Sequence, residues 1–406
     1  MQSDSNMPRS CDIFCSVVDN FGDIGVAWRL ARQIANEHGL AVRLWVDDLS
    51  SFAKLCNGAS ELVGSQKIQG VEVIRWRKDL RQVQPEELVP AELVIETFAC
   101  KLPETYIEAM AQLSVHPVWI NLEYLSAENW VETHHRLPSP HATLPLTKYF
   151  FFPGFTKQTG GLLLERDLLA YRDSFLADTV QQALFWRSVG LERPPKDTLK
   201  ISMFCYENSA LEELFDAWER SEQTILCLVP EGRIMQQVGK YFDDDVPGAG
   251  KSYLRGNLRV CILPFVEQEH YDKLLWSCDV NFVRGEDSFV RAHWAGKPFV
   301  WQIYPQHDAV HMDKLQAYMD KCCALLGAAT CAALRDFWLI WNKANTVGQG
   351  TSVGSEDAWS ALMEVHGELE SHTKQWVQQL SGNNLALNLL DFSREIGRMR
   401  ALENEG

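Results

Sequence analysis

The sequence predicts an α/β protein of two doubly wound, Rossmann-like domains facing a ligand cleft at their strand C-termini. Three observations predict it. At 406 residues the chain is too long for one ordinary domain, and two of roughly 150 to 200 residues are the natural division. Short apolar runs alternate with longer amphipathic segments, which is the pattern of βαβ units and a parallel sheet. The pattern stops at Pro194-Pro195, where proline ends a helix and stiffens a connection, and then begins again.

In the first half, Asp12–Val18 reads as a strand and residues 24–38 as a helix whose apolar face carries Trp28, Leu30, Ala31, Ile34 and Ala35. Gly39 supplies its C-cap. Strands follow at Ala41–Val46, Val71–Trp76, Leu93–Phe98 and Val118–Leu122. A loop rich in Pro, His and Ser spans residues 134–145, Tyr149–Gly154 is an aromatic strand or turn, and residues 168–190 read as helical. In the second half, strands are expected at Leu199–Phe204, Thr224–Val229, Leu258–Leu263, Val280–Val283 and Phe299–Ile303, with helices at 210–220, 271–277 and 288–295. The remainder is helical, interrupted by a polar, Gly-rich stretch at 347–354. The expected domains are 1–190 and 191–375, with a helical segment 376–406 packing back on the first.

Charge and composition exclude several classes. With 54 acidic against 38 basic residues the net charge is −16, a surface that repels bare phosphate backbone, so no nucleic-acid partner is expected. A nucleotide-sized ligand remains compatible, because a helix N-terminus holds a diphosphate locally. The 11 cysteines form no CxxC pair, which suits reduced thiols. Met1–Arg9 lacks the apolar stretch of a signal peptide and no run reaches the length of a membrane span, so a cytoplasmic protein with no membrane partner is expected. Most of the 14 tryptophans are expected in the core.

Two stretches carry chemistry. Val17-Val18-Asp19-Asn20-Phe21-Gly22-Asp23-Ile24-Gly25 sets two carboxylates in a strand-to-helix turn, where open α/β sheets present ligands. It is not the dinucleotide fingerprint GxGxxG, which argues against a dehydrogenase. A carboxylate there is placed for general-base work, and the glycines allow close approach or positive φ. The plainer account makes Asp23 a helix N-cap and Asp19 a turn former; it explains one acid more easily than two acids and two glycines.

The second stretch is Val283-Arg284-Gly285-Glu286-Asp287-Ser288-Phe289, preceded by Phe265-Val266-Glu267-Gln268. Backbone N–H groups at a helix start hold a diphosphate, with the Ser288 hydroxyl adding a donor. Glu286 and Asp287 suit sugar or ribose hydroxyls, while Phe265 or Tyr206 can stack on a base beside Gln268. Simple capping of the following helix by Glu286-Asp287-Ser288 is the competing account. His134, His135 and His141 match no zinc spacing, and Asp47-Asp48 reads as a solvated strand end, so no metal is expected.

The run Asp12–Gln33 and the run Arg284–Ala292, with residues 294–307, resemble the elongation factor P arginine rhamnosyltransferases, the EarP family. The resemblance extends over nearly the whole chain. It implies a GT-B fold, dTDP-β-L-rhamnose as donor, and inversion at the anomeric carbon without a metal. The acceptor it implies is one arginine at the tip of the N-terminal domain of elongation factor P, a modification that fits the factor to rescue ribosomes stalled at polyproline. Residue by residue, it makes Asp23 the general base and Asp19 a second essential carboxylate. It assigns Tyr206, Phe265, Gln268, Glu286, Asp287 and Ser288, with Asn20 and Gly22 of the first loop, to the donor. The first domain then binds acceptor and the second donor. The alternatives are a GT-B transferase with another nucleotide sugar or acceptor, and a non-catalytic GT-B module that docks on a translation factor.

Overall fold

The computed structural model describes residues 7–18, 21–76, 88–305, 310–343 and 354–405. It divides into two compact units, residues 1–166 with 380–406, and residues 167–379.

Unit 1 opens with β1 (Ser10–Cys15), α1 (Gly22–His38), β2 (Ala41–Val46), α2 (Leu49–Leu55), β3 (Ser65–Ile68) and β4 (Val71–Arg75). It continues with β5 (Leu93–Thr97), α3 (Glu104–Gln112), β6 (Val118–Leu122), α4 (Trp130–His134), β7 (Pro138–Pro140) and β8 (Thr147–Phe151). The strands form one sheet in the order β3-β4-β2-β1-β5-β6-β8-β7. The inner strands pair in parallel, with Ser10 opposite Ala41 and Cys11 opposite Leu93, and the two edge strands are antiparallel. Strands covered on both faces must be almost wholly apolar, and β5 and β6 are buried throughout. The exceptions are neutralised in place. Asp12 on β1 takes a bidentate grip from Arg43, at 2.6 Å through both Nε and Nη2, and also accepts from Trp45 Nε1, Ala91 N–H and Tyr106 Oη. Glu96 on β5 meets Lys148 of β8.

Unit 2 begins with α5 (Leu168–Ala177) and α6 (Thr179–Ser188), then β9 (Leu199–Met203), α7 (Leu211–Glu219), β10 (Ile225–Pro230), α8 (Met235–Tyr241), β11 (Ser252–Arg255) and β12 (Leu258–Leu263). It ends with α9 (Gln268–Ser277), β13 (Val280–Arg284), α10 (Asp287–Ala295), β14 (Phe299–Gln302), α11 (Val310–Cys323), α12 (Ala328–Lys343), α13 (Ser355–Glu364) and α14 (His366–Leu380). Its sheet runs β11-β12-β10-β9-β13-β14 and is parallel except for β11. An aromatic core of Trp218, Phe282, Phe337, Trp341 and Trp359 lies on one face. Eleven of the fourteen tryptophans are buried. The last helix, α15 (Leu385–Glu405), packs on α1 and β6 of unit 1, where Arg400 Nη1 donates to the His116 carbonyl at 2.9 Å.

Several expectations shift. The division falls at Arg166/Asp167, upstream of Pro194-Pro195, because α5 and α6 pack on α9 and Arg172 donates to the Trp294 carbonyl at 2.6 Å. The expected single helix 168–190 is two, separated at Asp178, whose carboxylate caps α6. The loop at 134–145 contains the edge strand β7, and β3, β7 and β11 are all short edge strands, too brief to show a period. The first strand ends at Cys15, and α1 begins two residues before the expected start. Gly39 does cap α1, with φ 74°. Most of the polar stretch 347–354 lies outside the described residues. All eleven cysteines are free. Among the described residues no helix is long and apolar enough to cross a membrane.

Candidate functional site

In an open parallel sheet, ligands collect where neighbouring strands send their connections to opposite faces, outside the strand C-termini. In unit 1 that point lies between β1, whose other neighbour is β2, and β5. In unit 2 it lies between β9 and β13. The two chemical stretches sit on these points. The loop after β1 carries Asp23, and the turn after β13 carries Glu286, Asp287 and Ser288.

Asp23 is 3% exposed, in the first turn of α1. It is not the cap. The N-cap is Phe21, which makes no side-chain cap bond. The Asp23 carboxylate instead turns back on the loop, where Oδ2 accepts the Val18 N–H at 2.8 Å and Oδ1 the Tyr124 hydroxyl at 3.3 Å. Gly22 and Gly25 are helical, so what they offer is space close to the backbone and not positive φ. Asp19 and Asn20 lie outside the described residues. The loop's outgoing end is fixed from β2, where Asp47 accepts the Ser16 hydroxyl at 2.6 Å and the Val17 N–H at 2.8 Å. Asp48 caps α2 through Ser50 and Ser51; burial raises its pKa, but these hydrogen bonds outweigh it and hold the carboxyl below its usual range. Both acids are half-exposed at the strand end but committed to these hydrogen bonds. Beside the loop, burial and then the Asp23 charge push the Cys15 thiol well up, and burial pushes Cys100 up to about 12, so neither is a nucleophile.

The unit 2 point is denser. Arg284, the last residue of β13, is 7% exposed, and its guanidinium lies between the rings of Phe204 and Tyr206, 4.5 Å from each centroid. Among the described residues no carboxylate pairs with it, and its Nη1 is buried with no hydrogen-bond partner. A buried guanidinium without an anion is costly to hold, so the arrangement is built to receive one. Gly285 makes the turn at φ 61°, and Glu286 is the backbone N-cap of α10 without a side-chain cap bond. The N–H groups of such a helix start are the kind of donor that binds an anion. The Ser288 hydroxyl accepts the Arg284 N–H at 3.1 Å and donates to the Arg284 carbonyl, which commits it to the turn. Gln268, at the start of α9, donates to Asp287 Oδ2 at 3.3 Å. Tyr206 is buried on the loop after β9, and Phe265 is half-buried on the loop before α9.

The structure thus joins Gln268 to Asp287 and Tyr206 to Arg284. Arg284 lies within the sequence motif, and its burial between two rings sets it apart. The histidines do not gather. His134 Nδ1 bonds to the Trp130 carbonyl, His135 Nδ1 accepts the Phe152 N–H, and His141 Nδ1 accepts from Thr143 and Leu144.

Residues 11–394 match the family described as Elongation-Factor P (EF-P) rhamnosyltransferase EarP. A protein-arginine rhamnosyltransferase of Pseudomonas putida is 46% identical over 389 residues, covering 96% of this chain and 99% of that one. One from Pseudomonas aeruginosa is 45% identical over 384 residues, covering 94% and 98%. A solved structure described as the structural basis for EarP-mediated arginine glycosylation of translation elongation factor EF-P is 34% identical, with TM-score 0.66 over 95% of this chain and 99% of that one. A Rickettsia africae glycosyltransferase shares the fold at 8% identity and TM-score 0.50, over 97% and 98%. The two Rossmann-like units are of the GT-B class. The chain belongs to the EarP family of elongation factor P rhamnosyltransferases and is a protein-arginine rhamnosyltransferase.

Proposed function

We propose that the enzyme transfers L-rhamnose from dTDP-β-L-rhamnose to the guanidinium of one arginine of elongation factor P, with inversion and without a metal ion. The observation that carries the donor half is the Arg284 guanidinium, buried between Phe204 and Tyr206 with Nη1 unpartnered beside the start of α10. An anion there gains charge-assisted hydrogen bonds from Arg284 and from backbone N–H groups. In this reading Asp287, held by Gln268 at 3.3 Å, accepts from a sugar hydroxyl, and Phe265 or Tyr206 stacks on the base.

An arginine is protonated at neutral pH and is a poor nucleophile until it loses a proton. Asp23 is the proposed acceptor of that proton, with Asp19 gripping the same guanidinium fork. One guanidinium nitrogen forms the C–N bond to the anomeric carbon as the C–O bond to the diphosphate breaks. The proton passes to the Asp23 carboxylate, and the electron pair leaves on dTDP, whose charge Arg284 and the α10 N–H groups neutralise. Attack opposite the leaving group inverts the configuration.

Intact-mass measurement of elongation factor P, after incubation with the enzyme and dTDP-rhamnose, tests this directly. A rhamnose-sized increase on one arginine is expected, and no increase with this donor overturns the reading. Asp23→Asn should abolish transfer while dTDP still binds.

A further inference from the structure

Tyr124 follows β6 and remains 38% exposed, yet its two ends are already engaged. Its hydroxyl donates to Asp23 Oδ1 at 3.3 Å, and its ring lies nearly parallel to Phe98, with centroids 4.4 Å apart and 17° between planes. Phe98 is presented by an unusual turn after β5. Phe98 and Ala99 have φ of 56° and 53°, and Lys101 has 24°, values that residues with side chains seldom adopt. Such a backbone persists only when its surroundings over-determine it. Here they do: Phe98 N–H donates to the Leu122 carbonyl at 2.7 Å, Ala99 N–H to Asn121 Oδ1 at 3.3 Å, and Thr97 Oγ1 to the Phe14 carbonyl at 2.8 Å. The fold thus holds a half-exposed aromatic ledge that ends at the Asp23 carboxylate.

A flat aromatic surface beside a carboxylate is the chemistry that recognises a planar cation. The face of a guanidinium stacks on a ring while its N–H edge reaches the carboxylate, which an ammonium does not match. We propose that the Phe98–Tyr124 ledge seats the acceptor arginine and turns its N–H edge toward Asp23. The proposal rests on the reading of Asp23 as the base. It makes Tyr124 a specificity-determining residue for the guanidinium, and through its hydroxyl a positioning residue for Asp23.

The test is calorimetric binding of elongation factor P to the intact enzyme, followed by steady-state kinetics. Tyr124→Ala should weaken factor binding about two- to thirtyfold, the range of a cation–π contact, and leave dTDP affinity unchanged. A factor carrying lysine in place of the acceptor arginine should bind the wild-type enzyme more weakly. Tyr124→Ala should erase that difference, which a merely structural defect does not do. Tyr124→Phe keeps the ring and should retain the acceptor KM while kcat falls. Phe98→Leu, which leaves Tyr124 in place, is the second probe if Tyr124→Ala does not fold, and should weaken factor binding without affecting dTDP. Undiminished discrimination between arginine and lysine acceptors in Tyr124→Ala, or in Phe98→Leu, overturns the proposal. An active Asp23→Asn enzyme overturns the base assignment instead, so the two readings fail separately.

Discussion

Gln302, at the end of β14, accepts the Tyr206 N–H at 2.8 Å and donates to the Glu207 carbonyl at 3.5 Å. Its neighbour Trp301 donates Nε1–H to the Gly285 carbonyl at 2.8 Å and stacks on Phe289 at 3.9 Å. One edge strand therefore pins both loops that flank Arg284. Gln302→Leu should leave the buried Tyr206 N–H unpaired, a loss of roughly 1–3 kcal/mol, and lower dTDP affinity about tenfold by calorimetry. Trp301→Phe keeps the stack and should cost less. Unchanged dTDP affinity in Gln302→Leu would show that the Tyr206 loop needs no such support.

If Arg284 awaits the diphosphate, its removal should be felt by the phosphates alone. Arg284→Met should lower dTDP affinity about tenfold to a hundredfold, the scale of a charged hydrogen bond, and leave thymidine binding unchanged. Arg284→Lys should not restore the loss, because a point charge cannot fill the slot between Phe204 and Tyr206. Equal losses for dTDP and thymidine would mean that Arg284 only shapes the pocket.

What could be read from the sequence follows from where the physical signal is local. The buried parallel strands β1, β5, β6, β9, β10, β12 and β13 announce themselves as apolar runs, and Gly39 marks the end of α1 because only a left-handed residue fits there. The loop with Asp23 and the turn with Asp287 were legible for the same reason. The antiparallel edge strands β3, β7 and β11 were not, since a three-residue strand such as β7 is defined by its pairing with β8. Nor was the break at Asp178 within an apolar helical pattern. The contacts of Arg284 and Tyr124 were not legible because their partners lie far along the chain: Phe204 lies 80 residues before Arg284, and Asp23 lies 101 residues before Tyr124. The capping role of Asp48 was not legible because it depends on Ser50 and Ser51, two and three residues ahead.

Asp12 shows that an acid in the first strand need not be catalytic. It is fully buried, and Arg43, Trp45, Tyr106 and the Ala91 N–H all converge on it. Removing Asp12 takes the acceptor from the buried Ala91 N–H and Tyr106 hydroxyl, at about 1–3 kcal/mol for each unsatisfied group, while Arg43, 29% exposed, can turn to water. Asp12→Ala should lower unfolding free energy by about 2–5 kcal/mol in a denaturant titration. The fraction that stays folded should keep its dTDP affinity; a stable Asp12→Ala protein would show that the convergence contributes little.

Two histidines, His293 fully buried and His135 half-buried, should make stability depend on pH in a predictable direction. His293 Nδ1 faces the Phe289 carbonyl at 2.8 Å and so carries the proton, leaving Nε2 to accept from Tyr318 Oη at 2.9 Å. His135 Nδ1 accepts the Phe152 N–H at 3.1 Å. Both rings are held neutral. Burial lowers each to about 4, and for His135 the neighbouring Arg136 adds to it. Between the unfolded value of about 6.5 and the folded value of about 4, the unfolded chain binds more protons than the folded one. Stability is therefore complete above about pH 6.5 and falls as the pH drops through this window, by roughly 2–3 kcal/mol for His293 alone. Urea midpoints measured at pH 7.5, 6.5, 5.5 and 5.0 should decline steadily below 6.5. His293→Gln should start from a lower midpoint yet show a flatter slope, because a neutral amide has nothing to titrate. An equally steep slope in His293→Gln would place the pH dependence elsewhere.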